Sequence, residues 1–72
     1  MDIRPVRCLI PDILRSKRKT QVWLAAELGM SKQQLNDYVQ MRIMMKVDTA
    51  MKFSRVLNVA IDDLYEWNWI GE

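Results

Sequence analysis

Histidine is absent from the chain and cysteine occurs once, at Cys8. Without imidazole, every mechanism that needs a histidine base or a Cys–His pair is removed. One thiol closes no internal disulfide, and without histidine it leaves no ligand set for a structural zinc. Long apolar runs are also missing, so no segment suits a membrane span. The opening MDIRPVRCLIPD holds two arginines and two prolines but lacks the apolar run of a signal peptide. A cytoplasmic protein with a free thiol follows, with no cofactor or metal called for and no catalytic set. Basic residues, finally, are absent from residue 56 onward.

What is present is a balance of globular type. Half of the 72 residues are apolar and 28% are charged. That length predicts one domain over 1–72, burying only about 60% of its unfolded surface. The net charge of +2 hides an asymmetry. Residues 1–55 carry all 11 bases and five acids, whereas 56–72 carry four acids and no base. A dipolar domain of this kind can turn its basic side to a polyanion. The densest basic run is Arg15, Lys17, Arg18 and Lys19. A solvated helix end explains that run equally well, because bases suit the last turn of a helix.

Along the chain, Val6, Cys8 and Ile10 alternate with Arg7 and Leu9, so residues 1–10 read as an extended arm or strand. Pro11 fits the first position of a helix that ends in the basic run. Thr20 caps a second helix, Gln21 to Leu28, with Leu24, Ala25 and Leu28 on one face, and Gly29 follows where a left-handed cap is expected. Ser31 caps a third, Lys32 to about Gln40, with Leu35, Tyr38 and Val39 toward the core. Asp48 or Thr49 opens a fourth, with Ala50, Phe53, Ser54 and Leu57 inward. Ile61 to Tyr65 reads as a short fifth helix. Tyr65, Trp67 and Trp69 then alternate with Glu66, Asn68 and Ile70, a strand signal over 65–70.

Thr20 to Tyr38 is the informative segment. Two capped helices meet at Gly29-Met30-Ser31, and Ala25 is small where they cross. This is the helix-turn-helix arrangement, placed here over 20–40, whose second helix enters the DNA major groove. The projecting face begins with Lys32, Gln33 and Gln34, with Asn36 and Asp37 one turn on. Lysine suits guanine O6 and N7, the amides suit adenine, and aspartate suits cytosine N4. A merely solvated face would more often pair Glu with Lys four residues apart.

The chain resembles the Cro/repressor-type (Xre) helix-turn-helix regulators of phages and bacteria. The resemblance runs from about Val6 to Trp67. It is carried by Thr20-Gln21, Leu24-Ala25, Leu28-Gly29-Met30-Ser31, Leu35 and Tyr38, then by Asp48-Thr49-Ala50, Leu57-Asn58-Val59 and Ile61-Asp62-Asp63-Leu64-Tyr65. It is greatest to short members with an Arg-Cys dipeptide near the start, here Arg7-Cys8, and a segment like Leu64 to Trp67 near the end. The resemblance implies a mainly α, five-helix repressor-like domain without a sensor domain. By position it gives base reading to Lys32, Gln33, Asn36 and Asp37. Phosphate contacts fall to Gln21, which would also buttress the reading helix, and to Gln34, Gln40, Arg42 and Lys46. Three departures stand out. Gln40-Met41-Arg42 replaces the glycine common after the reading helix. Ala60 replaces a capping serine. Met41, Met44 and Met45 enrich a connection that is usually polar, either filling gaps beneath the third helix or marking a sticky surface.

Trp23 is expected to lie over the first helix. Two indoles on a short strand need covering, so the termini are expected to pair as a small antiparallel ribbon. Alternatively, Arg4 and Arg7 form a flexible arm for a minor groove. Trp67 and Trp69 are candidates for a dimer or partner surface. One reading helix covers few base pairs, so a homodimer on double-stranded DNA is expected. Two functions result: a sequence-specific transcription regulator, acting as a repressor, or a protein-interaction module on the same fold with a protein partner. No ligand pocket is evident from the sequence.

Overall fold

The computed structural model describes residues 2–70, the side chain of Ile70 excepted. The first residue of the expected arm and Glu72 of the acidic segment lie outside it. Its elements run β1 (Asp2–Cys8), α1 (Ile10–Lys17), α2 (Gln21–Leu28), α3 (Lys32–Val39), α4 (Val47–Leu57), a 3₁₀ turn (Ile61–Leu64) and β2 (Tyr65–Ile70). Among the described residues, four α-helices therefore stand where five were expected. Ile61 to Leu64 is too short to close α-helical turns, and Ala60 offers no side-chain cap. The Asp63 amide donates to the Ala60 carbonyl at 3.0 Å, a three-residue step, and Tyr65 is already extended.

Several boundaries move by a residue. Leu9 is the N-cap of α1, which puts Pro11 at the second helical position, where its missing N–H is still harmless. α4 opens at Val47, capped by Lys46 without a side-chain bond, one turn-position before Asp48. Thr20 and Ser31 cap as expected, accepting the amides of Trp23 and Gln34, each at 3.1 Å.

The core is a single apolar cluster in which Phe53, Ile10, Leu24, Leu35, Leu57 and Leu64 are fully sealed. Ala25 is buried between α2 and its neighbours, so its small side chain lets the helices close. Trp23 is half-buried against this core, with the Lys19 ammonium 5.0 Å from its ring centroid. Arg15 of the basic run pairs with Asp12 at 3.1 Å.

The two strands pair antiparallel, from Asp2↔Ile70 at one end to Cys8↔Tyr65 at the other, with a bulge at Val6. The Leu9 amide donates to the Leu64 carbonyl at 2.9 Å and ties the ribbon root to the 3₁₀ turn. Arg7 is part of this joint. It bonds Glu66 at 3.1 Å and Asp12 at 3.0 Å, linking β2 to α1. The expected ribbon is thus present, and of the two arginines assigned to a flexible arm, Arg7 is held in ion pairs while Arg4 is exposed opposite Asn68. No described helix is long and apolar enough to cross a membrane.

Candidate nucleic-acid interface

α3 is aimed by what it buries. Leu35 and Tyr38 lie on one side of the helix and are buried, and the Tyr38 ring meets Phe53 of α4 edge-on, 5.8 Å between centroids. With that side fixed, helical periodicity turns Lys32, Gln33 and Asn36 outward. The Ser31 cap starts the helix sharply where the first of these residues stands. Gly29, at φ 66°, makes the turn before it. Its amide and that of Met30 donate to the Ala26 and Ala25 carbonyls, the bond pair of a Schellman cap.

Gln21, at the first position of α2, joins Lys32, Gln33 and Asn36 around an open depression of 420 Å³. Four side chains assigned from sequence are therefore together on one face. Their chemistry is a cation and three amides, which supply donors and acceptors for base edges and phosphates. Gln21 sits beside α3, but among the described residues its side chain makes no hydrogen bond to it, so any buttressing is through contact alone.

Asp37 has two partners within the chain that the sequence did not show. Its Oδ1 accepts from Gln33 Nε2 at 3.1 Å and from Arg42 Nε at 3.0 Å. Asp37 thereby fixes the Gln33 amide, leaving that amide's carbonyl oxygen and second N–H for a ligand. It also tethers Arg42 to the helix. Gln34, Gln40 and Lys46 are exposed, and no hydrogen bond links their side chains to the depression.

The exit from α3 solves the missing glycine. Met41 takes the left-handed conformation itself, at φ 61°. The Met41 amide donates to the Tyr38 carbonyl and the Arg42 amide to the Asp37 carbonyl, at 3.0 and 2.9 Å. This is again a Schellman cap, in which the Asp37–Arg42 ion pair takes the place of the usual apolar contact between its two ends. The signal was present in the sequence as an acid and a base five residues apart across a helix end. Nothing in the sequence marks Met41 as left-handed, so that pairing is not legible without the structure. Of the methionines here, Met41 and Met45 pack partly buried against the core, while Met44 is exposed. Met41 and Met45 thus fill space against the core, and Met44 does not.

A second open depression, also of 420 Å³, lies between α2 and α4, lined by Glu27, Leu28, Met51, Lys52, Arg55 and Val56. The acids Asp62, Asp63 and Glu66 belong to the 3₁₀ turn and β2, not to α3.

A capped helix pair whose second helix turns a lysine and amide side chains to solvent defines a DNA-binding helix-turn-helix domain. A family profile described as helix-turn-helix matches residues 13–64. Among relatives, the SPbeta prophage-derived uncharacterized HTH-type transcriptional regulator YopS of Bacillus subtilis (strain 168) is 37% identical over 62 residues, 85% of this chain and 84% of that protein. The similarly described YotL of the same organism is 43% identical over 42 residues, 57% of this chain and 52% of its own length. The chain belongs to the Cro/Xre-type helix-turn-helix family of DNA-binding regulators.

Proposed function

We propose that this chain is a sequence-specific transcription regulator that represses by occupying a two-fold operator as a dimer, with α3 in the major groove. The observation that carries the reading is the gathering of Gln21, Lys32, Gln33 and Asn36 on the exposed side of α3. Lys32, Gln33 and Asn36 read base edges. Asp37 acts on the bases through Gln33, whose amide it orients. Gln21, Gln34, Gln40, Arg42 and Lys46 hold phosphates and set register. The cytoplasm is where such a protein meets its operator, and the mechanism needs no cofactor and no catalytic step.

A second reading, a protein-interaction module on the same fold, is favoured by one observation: Met44, Val47, Trp67 and Trp69 are all exposed. Selection from a random duplex library, followed as salt rises to physiological levels, separates the two. The regulator yields a two-fold symmetric motif, and its affinity falls steeply with salt. Gln33→Ala and Asn36→Ala each then lower discrimination at one base position by about 1–3 kcal/mol while leaving the fold intact. Uniform recovery, with binding lost at physiological salt, would leave only phosphate attraction and favour the interaction module.

A further inference from the structure

The ribbon has one apolar side and one polar side. The side that carries Cys8 and Tyr65 into the core continues outward through Pro5 and Trp67 to Ile3 and Trp69, residues paired across the strands. Trp69 is 66% exposed, and Ile3 beside it is exposed too. The alternate positions whose side chains are described are Asp2, Arg4, Arg7, Glu66 and Asn68. The apolar stripe therefore outruns the core that covers its root, and its outer part stands as a ridge.

Trp67 also lines a groove of 180 Å³, together with Met44, Met45, Val47, Ile61 and Tyr65. A cavity of about 150 Å³ accepts a benzene ring, so this open groove of 180 Å³ has the size for the six-membered ring of an indole. Ridge and groove share Trp67 and make one continuous patch.

A patch with both parts is self-complementary. In a two-fold contact each copy presents the same surface, so each gives its ridge and receives the other's. An unrelated partner would need only one of the two. The area agrees. With aromatic side chains contributing about 150–250 Å² each when fully covered, the exposed apolar groups here offer on the order of 600 Å² per copy. A pair would bury roughly 1,200 Å², the lower bound of a specific interface. The patch includes none of Gln21, Lys32, Gln33 or Asn36, so covering it leaves the reading residues free.

We propose that a second copy of this chain covers this patch, the Trp69 of each copy seated in the groove between Met45, Val47, Ile61 and Trp67 of the other. The contact gives the dimeric-operator reading its surface and relies on that reading only for the consequence at DNA.

Sedimentation equilibrium of the full chain tests it, with Trp69→Glu breaking the ridge and Val47→Lys breaking the groove. Val47 is 78% exposed, so neither change places a charge in the core. The wild type is expected to be dimeric at micromolar concentration. Each variant alone is expected to be monomeric, with an unchanged circular dichroism spectrum. Mixed, the two variants should form a heterodimer: one intact ridge meets one intact groove, and the introduced charges, opposite in sign, meet at the broken contact. Trp69→Glu should also lower affinity for a selected two-fold site by at least tenfold. A monomeric wild type, a dimeric Trp69→Glu, or a mixture that stays monomeric would overturn the proposal. The two readings fail separately. A wild type that selects a DNA motif as a monomer sinks the contact alone, whereas a ridge-and-groove dimer that selects no motif supports the contact and sinks the operator reading.

Discussion

Leu35 in the helix-turn-helix corner and Trp69 on the ribbon are both large apolar side chains, yet one is fully sealed and the other stands mostly in solvent. The corner turns its apolar groups inward and closes with short-range bonds, those of Thr20, Ser31 and Gly29. The ribbon joins residues from the two ends of the described chain and reaches the core only at Cys8 and Tyr65. Corner and ribbon thus present opposite surfaces. A polar surface over a sealed floor suits a hydrated polyanion, because its side chains exchange water for phosphate and base edges without exposing the core. An apolar ridge gains by being covered.

That contrast can be broken most severely at the corner. Leu35→Ala is expected to remove about 3 kcal/mol of stability, a large share of what a domain of this size has. Urea denaturation measures it, and a loss below about 1 kcal/mol would mean that the corner is not where stability concentrates. Ser31→Ala should cost about 1 kcal/mol through the lost cap and weaken DNA binding as the first turn of α3 frays. Loss of binding without loss of stability would point to direct contact by Ser31 instead.

At the ribbon root the expected sign reverses. The Tyr65 hydroxyl is buried with no well-formed hydrogen bond, its polar neighbour being the Met45 backbone, so Tyr65→Phe should be neutral or gain up to about 1 kcal/mol. The same root sets an alkaline limit. Burial, foremost, pushes the Cys8 thiol above its ordinary 9.0 and the Tyr65 phenol above its ordinary 10.0. Groups raised by folding favour the protonated native state, so their contribution is intact below about pH 9 and is lost as the pH rises through the folded values. Melting temperature should therefore fall above that pH, and less so in Tyr65→Phe. A drop of equal depth in that variant would assign the effect elsewhere. The smallest effect is expected from Arg7→Ala. Its ion pairs with Glu66 and Asp12 are solvent-exposed and screened, so the melting temperature at physiological salt should not measurably change.

The same division marks what the sequence made legible. Thr20, Ser31 and Gly29 announce their conformations within three or four residues, so the corner and the outward face of Lys32, Gln33 and Asn36 could be read directly. Alternation of Tyr65, Trp67 and Trp69 marked β2, and a matching alternation marked its partner. Register was not readable, because the bulge at Val6 is settled by pairing with residues some sixty positions away. The fifth helix was misread because acids at Asp62 and Asp63 signal a helix start, whether the turn that follows is α or 3₁₀. Among the described residues, three of the four left-handed helix ends fall on Arg18, Met41 and Asn58 and not on glycine. Composition marks glycine only, so the turn that brings Arg42 back to Asp37 stayed hidden, and with it their ion pair.

The ribbon's outer end has a consequence for how the molecule opens. Asp2↔Ile70 is its outermost pair, Ile3↔Trp69 the next, and Cys8↔Tyr65 is anchored at the core. Such a ribbon parts like a zipper, from the tip inward, and each pair released loosens the one behind it. Trp69 rides close to that tip. A second copy gripping it would act as a clasp, so amide hydrogens near the tip should exchange more slowly in concentrated than in dilute solution, while those of α3 keep their pace.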